Sequence, residues 1–214
     1  MGSMSTNRSQ LNRKENRVFS LRLRNGHFSL LQMLRNGQVA VFDCFREEDT
    51  WDDYKPNQSD VLFTCILLKS VLKRSEVTDH GEVPPVKELE YCDTRISIGE
   101  GFRTLTLWKG TDDERTFLMM GEGKNSVRKL LNINGKIEEE YTPIPVEEYD
   151  KVAHLELTNL CDYPTFNERL YLCEHYRRNI DPLKELAFNK PLDKECRVYI
   201  DIIAGKVPIR ELGY

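Results

Sequence analysis

Catalytic and cofactor signatures are missing from this chain of 214 residues. It has no Walker-type phosphate loop and no GxGxxG turn. The pairs Gly99–Gly101 and Gly121–Gly123 lack the strand–turn–helix setting that would make a phosphate cradle. HExxH and GxSxG are absent, and no cysteine carries a recognisable histidine partner. No apolar run nears the roughly 20 residues that span a bilayer. The first fifteen residues lack the apolar core of a secretory leader. Nor is there a basic excess: 31 Lys and Arg against 35 Asp and Glu leave a net charge of −4, which disfavours a dedicated nucleic-acid binder. Cys44, Cys65, Cys92, Cys161, Cys173 and Cys196 form no CxxC pair and read as reduced, core-filling thiols. Cys161, Cys173 and His175 fit no standard zinc spacing. These absences predict a cytoplasmic protein that is not an enzyme, with no catalytic residues, cofactor or metal.

What the chain does have is Asn-Gly. Asn25-Gly26 and Asn36-Gly37 punctuate one apolar stretch, and each pair suits a tight hairpin because both residues tolerate positive φ. The pattern predicts a three-stranded meander over residues 17–24, 27–35 and 38–45. Two-residue turns would set Leu23 opposite Phe28 and Leu34 opposite Val39. One face would then collect Phe19, Leu21, Leu23, Phe28, Leu30, Leu34, Val39, Val41 and Phe45, with Gln32 and Asp43 among them. The other face would start polar at Ser20, Arg22, Arg24, His27 and Ser29, then turn apolar at Leu31, Met33, Ala40 and Phe42. A sheet wet at one end and covered at the other predicts a curled, partly closed barrel packed by a later element. On the apolar face, Asp43 would need loop or helix N–H partners or a recognition role.

Residues 1–16 read as a disordered basic arm, with Met1-Gly2-Ser3 an added leader ahead of a natural start at Met4. Residues 17–150 form an antiparallel β-rich region. Within it, 46–58 is a charged connector, 60–68 a buried strand, and 76–86 a surface loop suited to an internal seam. Further strands fall at 95–98, 102–109, 115–120 and 136–142, with 126–133 a strand or short helix and Asn134-Gly135 a third turn. Residues 151–214 are mainly helical and packed on the same core. A helix over 164–178 is capped by Thr165 or Asp162, one over 182–188 by Asp181 with Pro182 next, and one over 193–204 ends at Gly205. Strands first and helices last give an α+β fold.

Charge is unevenly spread. Basic residues crowd the segment to Arg35, and acid gathers in Glu47 to Asp53, Glu138 to Glu140 and Glu147 to Asp150. The first acidic group is the candidate partner-binding site: Glu47, Glu48, Asp49, Trp51, Asp52, Asp53 and Tyr54, since it alone joins charge to two aromatics. Two alternatives remain open. Arg22, Arg24 and His27 with the basic arm could grip nucleic-acid phosphates at a sheet edge. A small enzyme with a spatially assembled site would show a polar pocket holding His154 or His175 beside a carboxylate. His27, His80, His154 and His175 otherwise read as surface or helix-face residues.

The block VFSLRLRNGHFSLLQMLRNGQVAVFD resembles the opening of the bacterial immunity protein 26 family, with Phe42-Asp43 in the Phe-Asp position that closes its third strand. Where that family often has Gly-Asp ahead of the first strand, this chain has Asn16-Arg17. The resemblance covers residues 17–70. It implies an antitoxin that binds and occludes a cognate toxin, and it carries no active site. Acidic groups at the interface would suit a basic toxin site such as that of a nuclease.

Overall fold

In a computed structural model of the protein, residues 14–87, 89, 93–133 and 136–206 are described. Most of the expected N-terminal arm, Cys92 and the Asn134-Gly135 turn lie outside them. The strands are β1 (Val18–Arg22), β2 (Phe28–Met33), β3 (Gln38–Arg46), β4 (Val61–Leu67), β5 (Val77–Asp79), β6 (Thr94–Ser97), β7 (Phe102–Leu107), β8 (Arg115–Met120), β9 (Asn125–Ile133), β10 (Lys136–Ile144) and β11 (Leu160–Cys161). The helices are α1 (Lys69–Arg74), α2 (Tyr149–Val152), α3 (Thr165–Tyr176), α4 (Pro182–Ala187) and α5 (Arg197–Ile203). This is the α+β architecture that the strand-then-helix order predicts. The main sheet runs β11-β4-β3-β2-β1-β5 and curls into a half-barrel, mixed because β11 lies parallel to β4. A second sheet runs β10-β9-β6, and β7 and β8 form a two-stranded sheet.

The meander forms, but each of its first two connections is one residue longer than a two-residue turn. Leu23 N–H bonds His27 O at 2.7 Å, and Gly26 takes φ +89 to complete a three-residue loop. At the second connection Asn36 and Gly37 both have positive φ, 56 and 74, yet the ladder closes from Leu34 to Gln38. One added residue moves β2 to the opposite face throughout. Phe19 therefore pairs with Leu31, and Leu31 in turn with Val41. Leu31 and Met33 join Phe19, Leu21, Leu23, Val39 and Val41 on the helix-covered face, whereas Leu30 and Leu34 face the other way.

Gln32 accordingly leaves the first apolar face. Its amide exchanges two 2.8 Å hydrogen bonds with the backbone of Val86. Asp43 keeps the side of β3 that carries Val41 and Phe45, but it is exposed to solvent and so needs no buried partner. The second face is open at exposed Arg22, but Ser20 and Ser29 are buried, and the loops at 49–54 and 80–87 cover the rest. The segment expected as a surface loop at 76–86 starts as β5, which pairs with β1, and it buries His80 and Val83.

α3, together with α5 and the turn that leads into it, buries Phe166, Leu170, Cys173, Cys196, Tyr199 and Ile200 against the first face. The Asp181 cap forms as expected, accepting from Leu183 N and Lys184 N. α3 differs: Pro164 stands at its cap, and Asp162 contributes its backbone carbonyl, which accepts from Phe166 N at 2.8 Å. Beneath the helices Arg169 is fully enclosed. It donates to Glu156 at 2.6 Å and stacks 3.8 Å over Phe63, which satisfies a buried charge by pairing and hydrogen bonding. Lys184 is satisfied by the carbonyls of Ala153 and Leu155 at 2.8 and 3.0 Å. No helix among the described residues is long and apolar enough to cross a membrane.

Candidate functional site

β3 ends at Arg46, and the acidic segment that follows doubles back over the second face of the sheet. Its anchor is Trp51, 2% exposed and packed with Val18, Leu30, Phe42 and Val83. The indole Nε1 donates to Asp49 Oδ1 at 2.7 Å. Buried His80 places Nε2 3.0 Å from the same oxygen and 2.9 Å from Ser20 Oγ. Burial pushes the Asp49 carboxyl up, but hydrogen bonds from His80, Ser20, Trp51 and Thr78 outweigh it and hold the group well below the usual carboxylate range. Two elements thus meet on one carboxylate, and the acidic segment is stapled to the chain after β5.

Arg46 secures the other end. It donates to Thr50 O and Asp53 Oδ1, both at 2.6 Å, and its guanidinium lies 5.0 Å from the Trp51 ring centre. Tyr54 meets Trp51 edge-to-face and donates to Asp60 at 2.9 Å. Asp60 also accepts from the backbone of Asn57 in a capping box, and burial together with the Tyr54–Asp60 hydrogen bond pushes the Tyr54 hydroxyl far above its ordinary range.

The candidate residues therefore divide. Trp51 and Asp49 face inward, and Trp51 is a core residue rather than the exposed anchor its position in an acidic run suggested. An indole is too large an apolar group to leave in water when a pocket of Val, Leu and Phe lies beside it. Tyr54 is half-buried at the rim. Glu47, Glu48, Asp52 and Asp53 are exposed. His80 and Ser20 complete the cluster. Sequence reasoning missed both, because their partners lie 31 and 60 positions from His80.

The expected nucleic-acid edge is already neutralised. Arg22 pairs with Glu76 at 3.1 Å, and Arg24 with Glu168 at 3.0 Å and Glu195 at 3.2 Å. His27 is paired with Glu174, whose second oxygen accepts from Asn25 at 2.8 Å. A polar groove does hold His175 beside Glu174, but that carboxylate serves His27 and Asn25, and the His175 ring stacks on Tyr171. His154 is exposed. Burial pushes the Cys173 thiol up to about 11 and that of Cys196 to about 12, which keeps both protonated at neutral pH.

Comparison with known proteins returns a family model, described as a domain of unknown function (DUF8309), over residues 8–191. The chain belongs to the DUF8309 family. The match takes in the whole half-barrel, the acidic segment and helices α3 and α4. No curated protein and no solved structure matches the chain.

Proposed function

We propose that this DUF8309 protein is a cytoplasmic immunity protein, which neutralises a cognate bacterial toxin by binding and occluding it without chemistry of its own. One observation carries the reading. Glu47, Glu48 and Asp52 project from a segment whose inward side is fixed by Trp51, Asp49 and Arg46. Carboxylates held on a preorganised support favour capture of a basic surface, since less ordering cost is incurred on binding. The resemblance of residues 17–70 to the immunity protein 26 family supports the same function. The carboxylate-paired arginines at the β1–β2 turn favour a protein partner over RNA or DNA.

The probe is the C-terminal domain of whatever large secreted protein the neighbouring reading frame is found to encode, and a neighbourhood that encodes none would count against the reading. Surface plasmon resonance with the triple variant E47K/E48K/D52K should show an association rate lowered about tenfold or more at low salt, with the gap closing as salt rises. Asp53 is left in place because it holds Arg46. Unchanged rates would remove this face from the interface. Absence of any complex with the unaltered chain would defeat the immunity reading.

A further inference from the structure

The chain from Glu156 to Cys161 crosses between two sheets. Ile96 N donates to Glu156 O at 2.8 Å and Thr158 N to Ile96 O at 2.9 Å, after which Leu160 and Cys161 pair with β4. A cleft of about 200 Å³ opens at this junction, lined by Gln38, Ile66, Asp93, Arg95, Arg128, Leu130 and Leu157, among others. The register of β6 on β9 sets Arg95 directly opposite Arg128. One step along the same face, Leu130 N–H bonds Asp93 O.

Two cross-strand arginines repel unless anions separate them. Arg128 is paired with Glu139 through one nitrogen, while its Nε is buried with no hydrogen-bond partner. Arg95 donates to Thr64 O at 2.8 Å and Thr64 Oγ1 at 2.9 Å, both neutral acceptors. Among the described residues neither Arg95 nor Asp93 forms a salt bridge. Gln38 Oε1, on the opposite wall, is a buried acceptor without a donor. Among the described residues the cleft therefore brings together an arginine without a counter-ion, an exposed carboxylate, a buried orphan donor and a buried orphan acceptor, beside an apolar wall. Buried polar atoms left without partners cost free energy, and a ligand that supplies their complements recovers it.

We propose that this cleft binds a small zwitterion of the α-amino-acid class with an apolar side chain. Its carboxylate lies between Arg95 and the Arg128 Nε, its ammonium reaches Asp93 and Gln38 Oε1, and its side chain rests on Ile66, Leu130 and Leu157. The volume equals the share of roughly seven waters of liquid, which suits a molecule of leucine's size. A guanidinium fork matches a planar carboxylate, and the apolar wall disfavours inorganic phosphate.

Isothermal titration of the full chain with L-leucine and L-methionine tests this. At least one should bind saturably. 4-Methylpentanoate and isoamylamine, which each keep one of leucine's charges, should bind about tenfold more weakly or worse, the cost of one charged hydrogen bond. D93N and R95Q should each lower affinity by a similar factor. Leu130→Trp closes the mouth from an exposed position, so it should abolish binding while the circular dichroism spectrum is unchanged. No saturable binding of either amino acid, equal binding of the single-charge analogues, binding of phosphate in their place, or binding that survives L130W would each overturn the proposal.

Discussion

Asp49 shows how one residue can be misread for a sound reason. In an acidic run it looks like one more solvated charge, yet it accepts from Trp51 and His80 and ties two loops over the second core. Its carboxyl lies below the ordinary range in the folded chain, so the stability it contributes is present above about pH 4 and is lost as pH falls through the folded value. Asp49→Asn should therefore cost about 1–3 kcal/mol at pH 7. Denaturant titrations at pH 7 and pH 3 should show the gap between variant and parent narrowing at the lower pH. An equal gap at both would show that the Asp49 charge is not linked to folding. The sequence could name the aromatic and acidic residues here but not their directions, because Ser20 and His80 reach the site only through tertiary contact.

At the scale of elements, the strands of the meander, the β4 run, the Asp181-Pro182 helix start and the helix ending near Gly205 were all legible from local patterns. Those signals are short in range: alternation, caps and Asn-Gly. The register was not legible, because Asn-Gly specifies positive φ without fixing whether the loop holds two or three residues, and one residue inverts a whole strand. That single ambiguity misassigned Leu30, Leu31, Gln32, Met33 and Leu34. Gly26 now has a defined role at φ +89, where an added Cβ would find only the Arg22 guanidinium at 3.8 Å. Crowding is thus minor and the strain is conformational. Gly26→Ala should lower stability by about 1–2 kcal/mol, read as a lower urea midpoint at unchanged slope. A midpoint equal to the parent's would show that the loop relaxes into another conformation.

Across the whole molecule, the two faces of the half-barrel are covered by different means. Helices cover one, and the loops centred on Trp51 and Val83 cover the other. The acidic segment is one of those covers, so its outer charges and its inner packing belong to one piece of chain. The second sheet projects differently. β10 is an edge strand exposed along its length up to Pro143, and Glu138, Glu139 and Glu140 run along it. Open backbone groups on such a rim can template a like rim on another copy. Three consecutive glutamates make two of these rims repel, so the ribbon polices its own company. Reversing them in E138K/E139K/E140K should leave the concentrated chain no more prone to cluster, because like still faces like. Neutralising them as E138Q/E139Q/E140Q should raise its apparent mass in light scattering as concentration climbs. A rim charged in this way is kept from joining its twin.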